Sequence, residues 1–224
     1  MASAKASANA FKASYDQLRN ITLTRFSDGT QVAAPHLWEN QAALLQIARR
    51  PGCTFCREEA ALIEARRDII EKQLGTRIYV VFHERMGVDE FVQKYFPHPG
   101  DVFIDESKGF YKATGGGKLR WGGITTFLKP SFWSIYQRNK TRKVEGNLKG
   151  EGRILGGLYV VKPGDAGIQY EHVEQQFGDI ASLENVIRAC EQASGQKLAP
   201  EAYDEAVKAD GPVAVCTSRE ACAS

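Results

Sequence analysis

The chain has 224 residues, 43% of them hydrophobic and 25% charged, with a formal net charge of +2. That length suffices for one generous domain or two small ones, and the composition excludes global disorder and collagen-like or mucin-like sequence. The near-zero charge excludes a polyelectrolyte binder, and the longest apolar run, Ile78 to Phe82, falls far short of the roughly 20 residues of a membrane helix.

Residues 1–20 read as a small, polar, flexible arm. They contain no apolar h-region of a signal peptide. Their likeness to an organelle transit peptide is weak, because Arg19 is the first arginine, so a cytoplasmic location is expected. Ile21 to Phe26 alternates apolar and polar residues and closes on Ser27-Asp28-Gly29-Thr30, a strand entering a loop or hairpin. Ala42 to Ala48 is an apolar run of strand length, ended by Pro51-Gly52.

From Cys56 to Leu74 there is no glycine or proline, and Ala60, Ile63, Ile70 and Leu74 fall at helical spacing. Arg67 interrupts that stripe, with its stem along the apolar surface and its head in water. Arg77 to Glu84 reads as a buried strand, and Val88 to Phe96 as a short helix halted by Pro97 and Pro99. Asp101 to Asp105 is a short strand, followed by a helix from Ser107 to Ala113.

Beyond the break at Gly115–Gly117, Ile124 to Gln137 is aromatic-rich and helical past Pro130. Ile154 to Lys162 and Ile168 to Val173 read as strands around the turn Pro163-Gly164-Asp165. Ser182 caps an amphipathic helix through Ile187 and Cys190. Residues 194–224 hold one more helix, Glu201 to Ala209, and a loose tail. This order is α/β: a thioredoxin-like sandwich over residues 21–193, its central mixed sheet flanked by helices, with N- and C-terminal extensions.

The five cysteines are Cys53, Cys56, Cys190, Cys216 and Cys222. They are too few, and odd in number, for a stapled secreted module. Cys53-Thr54-Phe55-Cys56 lies between a strand and a helix, which is a redox pattern. The free N–H groups and dipole of a helix N-terminus stabilise a thiolate there. Arg50 and Arg57 supply cations, and a lowered pKa makes the reactive form. Side chains three apart share a helix face, so a disulfide can close. Zinc would need further ligands at matching spacing, and none follow, so neither a metal nor a bound cofactor is expected.

The segments RRPGCTFCREEAA, LWEN upstream, and EGNLKGEGRILGG and EHVEQQFGD downstream resemble the peroxiredoxin-like 2 family. This thioredoxin-fold family includes selenoprotein U and prostamide/prostaglandin F synthase. The likeness spans about Leu37 to Ala189, with plain cysteine at both positions of the motif. It implies a thiol-dependent reductase of peroxides or lipid endoperoxides, recharged by thioredoxin and thus indirectly by NADPH. It marks Cys53 and Cys56 as the redox pair, with Arg50, Gly52 and Arg57 around them. One thiolate attacks the O–O bond to give a sulfenic acid, and the other condenses with it to a disulfide.

Cys53 is favoured as nucleophile, since the first cysteine of such a turn is the exposed one. The Pro-x-x-x-Thr-x-x-Cys pattern of typical peroxiredoxins gives the other assignment. Laid over this turn, it puts Cys56 at the attacking position and its proline at Arg49, so that pattern is not met.

Gly156 and Gly157 precede a strand at the point where thioredoxin-like folds commonly place a cis-proline. They either admit a substrate or partner backbone or form a β-bulge. Glu84, shared with relatives, and His83 stand at a strand end, as a proton shuttle or a solvated edge. Lys118 to Lys149 carries eight Lys/Arg and one acid, Glu145, interleaved with Trp121, Phe127, Phe132, Trp133 and Tyr136. A solvated basic face over core aromatics accounts for this, with a lipid-like substrate as the functional reading and nucleic acid not expected. Cys190 lies on the apolar side of its helix, and Cys216 and Cys222 form either a mobile dithiol or a dangling tail. The rival to a reductase is a non-enzymatic redox-sensing or partner-binding thioredoxin-fold module.

Overall fold

A computed structural model describes residues 12–123 and 130–208. The expected C-terminal tail with Cys216 and Cys222, the start of the N-terminal arm, and Phe127 lie outside these residues. A seven-stranded sheet runs in the order β2-β1-β5-β4-β3-β6-β7. Its strands are β1 Thr22–Arg25, β2 Gln31–Ala33, β3 Ala42–Ile47, β4 Thr76–Phe82, β5 Val102–Ile104, β6 Gly157–Val161 and β7 Ile168–Val173. The central β3, β4 and β5 are parallel, and the outer strands join antiparallel. The mixed sheet and its crossovers are those of the expected thioredoxin-like sandwich.

Strand β3 is apolar almost throughout because helices cover both of its faces. Leu44 joins one core with α2 (Thr54–Glu64) and α6 (Leu183–Ser194). Leu45 and Ile47 join the other, with α1 (Tyr15–Arg19) and α4 (Gly109–Thr114). Gln46 is the exception: it is buried, and its Nε2 donates to the Cys56 carbonyl at 2.9 Å. That bond fixes the first turn of α2 to the centre of the sheet.

The local expectations are met where periodicity is strong and revised where contacts intervene. Ser182 caps α6, accepting from the Asn185 N–H, and Cys190 is buried in the core. The turn after β1 closes a hairpin with β2. The described part of the 1–20 arm is ordered instead: Ser14 forms a capping box with Gln17, and Leu18 is buried. The helix expected through Leu74 breaks after Glu64 and resumes as a wider π-type segment, Asp68–Gln73. Arg67 sits at that junction, and its head is not in water. It pairs with Glu64, Glu71 and Asp101 over the Phe96 ring.

Helices α3 (Val88–Lys94), α5 (Pro130–Thr141) and α7 (Pro200–Val207) complete the order. Helix α5 is held to α2 by a buried acid. Glu58 is fully enclosed and accepts from Arg138 at 2.9 Å, from Asn139 at 3.1 Å and from Arg142. Removing one partner of such a cluster leaves charges stranded. Glu58→Ala is expected to lower unfolding stability by about 3–5 kcal/mol. A urea melt read by tryptophan fluorescence checks this, and a midpoint unchanged from the native protein would show that packing alone holds α5.

Candidate active site

Cys53 and Cys56 lie where β3 hands over to α2. Cys53 is the N-cap of α2 and Cys56 is in its first turn, both buried. The Cys53 sulfur takes the place of a capping oxygen, accepting from the Cys56 N–H at 3.2 Å. On its other side Arg49 donates from Nη2 to the same sulfur at 3.0 Å. Burial raises the Cys53 pKa, but the Cys56 hydrogen bond, the Arg49 charge and the backbone N–H groups outweigh it and bring the thiol down to about 5. Burial and the neighbouring Cys53 push the Cys56 thiol up. The pair is therefore split into one thiolate and one thiol at neutral pH.

Arg49 is itself buried and held from several sides. Its Nε lies 3.1 Å from the buried Glu174 carboxylate, and Nη1 donates to the Gly152 carbonyl at 3.2 Å. The Phe177 ring lies 4.5 Å from its guanidinium carbon, a cation–π contact. Glu174 also accepts from the Gly156 N–H at 2.9 Å. Burial raises Glu174 to about 7, against the lowering effect of Arg49 and Gly156.

Arg50 and Arg57, the cations expected beside the thiolate, do not bond its sulfur: Arg50 lines the cavity on the Cys53 side, and Arg57 is turned into the loops. Arg49 points inward to the sulfur, while Arg50 donates to the Lys149 carbonyl at 3.1 Å. Arg57 is fully buried and braces the loops, donating to the Pro51 carbonyl at 2.7 Å and the Glu145 carbonyl at 3.0 Å, and pairing with Glu90 at 3.1 Å. Gly52 lets the segment carrying Asn147 cross the cysteine turn: a Cβ there would strike the Asn147 side chain, and Asn147 N–H donates to the Gly52 carbonyl at 2.8 Å.

The remaining candidates have structural partners. A Cβ on Gly156 would meet the Ile47 carbonyl, and one on Gly157 the His172 carbonyl, so the chain's own strands fill the space offered to a substrate. Glu84 accepts from the Glu151 N–H at 2.9 Å and anchors the same crossing loop, while the buried His83 packs edge-on against Tyr111. Burial pushes the Cys190 thiol up to about 12, which makes it inert.

Arg49 and Glu174 are the residues that the sequence reading misses. Arg49 had a signal, a charge closing an otherwise buried apolar strand. Glu174 had only its place in the EHVEQQFGD segment, and the sheet order is what brings it close. Ile47 pairs with Gly157, and Gly157 with Val173, so the ends of β3 and β7 emerge side by side.

The Cys53 side opens on a cavity of about 420 Å³. Phe55, Phe132, Phe177 and Leu148 give it apolar walls, and Arg49, Arg50 and Arg153 supply cationic edges. Trp121 and Tyr136 are exposed beyond it, so the aromatics of the basic segment are not all core.

A cysteine pair on the first turn of α2, beside a buried arginine in this sandwich, defines a thioredoxin-fold thiol protein. The family model described as AhpC/TSA antioxidant enzyme matches residues 63–176. Peroxiredoxin-like 2A of Homo sapiens is 38% identical over 193 residues, covering 85% of this chain and 81% of that protein. The Danio rerio protein of that name is 35% identical over 187 residues, covering 83% and 85%. The chain belongs to the peroxiredoxin-like 2 family. Among solved structures, Mycobacterium tuberculosis peroxidoxin BcpB shares the fold with a TM-score of 0.51 at 10% identity, over 83% of this chain and 99% of that one. Xanthomonas campestris peroxiredoxin Q does so at 0.50 and 12%, over 83% and 98%.

Arg49 supplies the fixed charge at the sulfur. Arg49→Met is expected to raise the alkylation midpoint of Cys53 by about one to three pH units, with Arg49→Lys recovering part of the shift. Arg50→Met is expected to leave it in place. Iodoacetamide alkylation against pH, read by mass spectrometry at Cys53, tests all three, and an unmoved midpoint in Arg49→Met would assign the stabilisation to the helix alone.

Proposed function

We propose that this chain is a thiol-dependent oxidoreductase that reduces peroxides or lipid endoperoxides through Cys53 and Cys56. The observation that carries the reading is the contact between Arg49 and the Cys53 sulfur at the floor of an apolar cavity. Membership of a family whose model is described as an antioxidant enzyme supports it.

In this reading Cys53 is the nucleophile, because it is the thiol held as an anion. On a hydroperoxide its sulfur attacks the outer oxygen of the O–O bond and becomes a sulfenic acid while an alcohol leaves; on an endoperoxide it attacks one ring oxygen, giving a sulfenate ester while the other oxygen takes up a proton. The apolar walls suit an alkyl or lipid chain, and the arginines suit the charge that develops on the departing oxygen. Cys56 keeps its proton until needed, then attacks the oxidised sulfur and expels water from the sulfenic acid, or the second hydroxyl of the diol from the sulfenate ester, closing the disulfide. Thioredoxin or a similar dithiol reopens it, so NADPH enters only through the thioredoxin reductase that recharges that partner. No bound cofactor or metal takes part in this cycle. Its site of action is the cytoplasm.

Purified protein with thioredoxin, thioredoxin reductase and NADPH is expected to consume NADPH only when hydrogen peroxide, an alkyl hydroperoxide or prostaglandin H₂ is added. Cys53→Ser is expected to reduce the rate at least about a hundredfold. Cys56→Ser is expected to stop turnover but accumulate a sulfenic acid at Cys53, trapped by dimedone. Sulfenic acid at Cys56 in Cys53→Ser would reverse the two roles. Silence with every oxidant would leave the redox-sensing module as the function.

A further inference from the structure

The buried face of the site holds one cation between two acids. Arg49 reaches the Cys53 sulfur at 3.0 Å with Nη2 and the Glu174 carboxylate at 3.1 Å with Nε. Water has little access, since Arg49 and Glu174 are both over nine-tenths buried. Two anions on one guanidinium leave a net negative charge in a low-dielectric interior, and such a pair favours a state with one proton between them. We propose that Cys53 and Glu174 share one proton, which Glu174 holds while Cys53 is a thiolate and releases when Cys53 is oxidised. The proposal rests on Cys53 being the working thiol, as read above, and not on the identity of the oxidant.

The surroundings of Glu174 hold one other candidate for the proton, the Glu59 carboxyl, which burial and the Cys53 charge also push up. Arg49 faces it from the end of β3, Cys53 acts on it from the N-terminus of α2, and the Gly156 N–H faces it from the start of β6. A small hollow beside it is lined by Cys56 and Glu59 of α2, His172 of β7, and Asp179. Glu59 is held by Gln46 at 2.8 Å and by the Ala181 N–H at 3.0 Å, and it pairs with no arginine among the described residues. His172 and Asp179 face one another at 3.5 Å. Arg120 bonds the backbone carbonyl of Glu174 and not its carboxylate. The directions agree with the geometry, with Cys53 held down to about 5 and Glu174 up to about 7.

The chemistry balances with that single proton. The Cys53 thiolate attacks a hydroperoxide; an S–O bond forms, the O–O bond breaks, and sulfur gives two electrons. The alkoxide that leaves takes up one proton, and Glu174 releases one through solvent as its thiolate neighbour disappears. The products are a sulfenic acid, an alcohol and an ionised Glu174 paired with Arg49. Condensation with the Cys56 thiol then gives the disulfide and water without change of charge. When a dithiol returns two electrons and two protons, Cys56 keeps one proton and Glu174 the other. Glu174 acts on the sulfur through Arg49 and touches no substrate, so it is a positioning residue.

Redox titration of the Cys53–Cys56 pair in dithiothreitol buffers tests this across about pH 5 to 7, the window between the two groups. The native protein is expected to take up two protons per two electrons there, and Glu174→Gln only one, halving the slope of potential against pH. Glu174→Gln keeps the shape and can still accept from Gly156, and because Glu174 is already neutral where Cys53 titrates, the Cys53 alkylation midpoint is expected to stay close to the native one. The native protein supplies a check that needs no variant: the infrared carbonyl stretch of a protonated carboxylic acid, present when reduced and lost on oxidation. Equal slopes in native protein and Glu174→Gln, or a halved slope in Glu59→Gln instead, would overturn the shared proton. So would absence of the infrared band. A Cys53 that alkylates like a free thiol would overturn the reading of the site as well, which separates the two failures.

Discussion

Burying a thiolate costs several kcal/mol unless a counter-charge is buried with it, and at this site Arg49 is that charge. Its placement makes demands on parts of the chain far apart in sequence. Strand β3 must deliver it at the end of a dry apolar run, Phe177 must lie under its plane, Gly152 must accept from Nη1, and Glu174 must lie beside Nε as a counter-charge. A guanidinium suits the task because its fork reaches several acceptors at once and does not lose its proton.

The surrounding architecture serves that constraint. Gln46 ties the first turn of α2 to β3, and Thr54 ties it to α5 by donating to Asn139 at 2.6 Å. The loop from Glu145 to Gly152 crosses the cysteine turn, held by Arg57 beneath it and Glu84 at its far end. These bonds fix the turn against sheet, helix and loop together. Rigidity here keeps Arg49 on the sulfur while leaving the cavity side of Cys53 open. A charged group that is held before reaction costs no reorganisation during it.

What could be read from the sequence follows from the range of the interaction. The cysteine turn, the cap at Ser182 and the buried strand β3 depend on neighbours within a few residues, and composition and spacing carry them. The loop glycines were visible as unusual, but their partners were not: Gly156 and Gly157 make room for the carbonyls of Ile47 and His172, which arrive from adjacent strands. Arg50 and Arg57 were chosen for nearness in sequence, and direction decided against them. Glu174 stands furthest from any local signal, since β6 must pair with both β3 and β7 before it meets Arg49.

The choice between the two cysteines shows how a motif overlay and a physical reading diverge. Laying a Pro-x-x-x-Thr-x-x-Cys pattern on this turn gives the attacking position to Cys56 and the proline position to Arg49. In the structure, the N-cap position belongs to Cys53, where the free N–H groups of α2 converge. Three residues further on, Cys56 supplies one of those N–H groups from its backbone and sets its own sulfur beside Cys53 in a buried setting. One helix end and one guanidinium cannot stabilise two adjacent anions equally, so the pair divides into a thiolate and a thiol. Arg49, standing where the pattern has a proline that could carry no charge, is what favours the anion at Cys53.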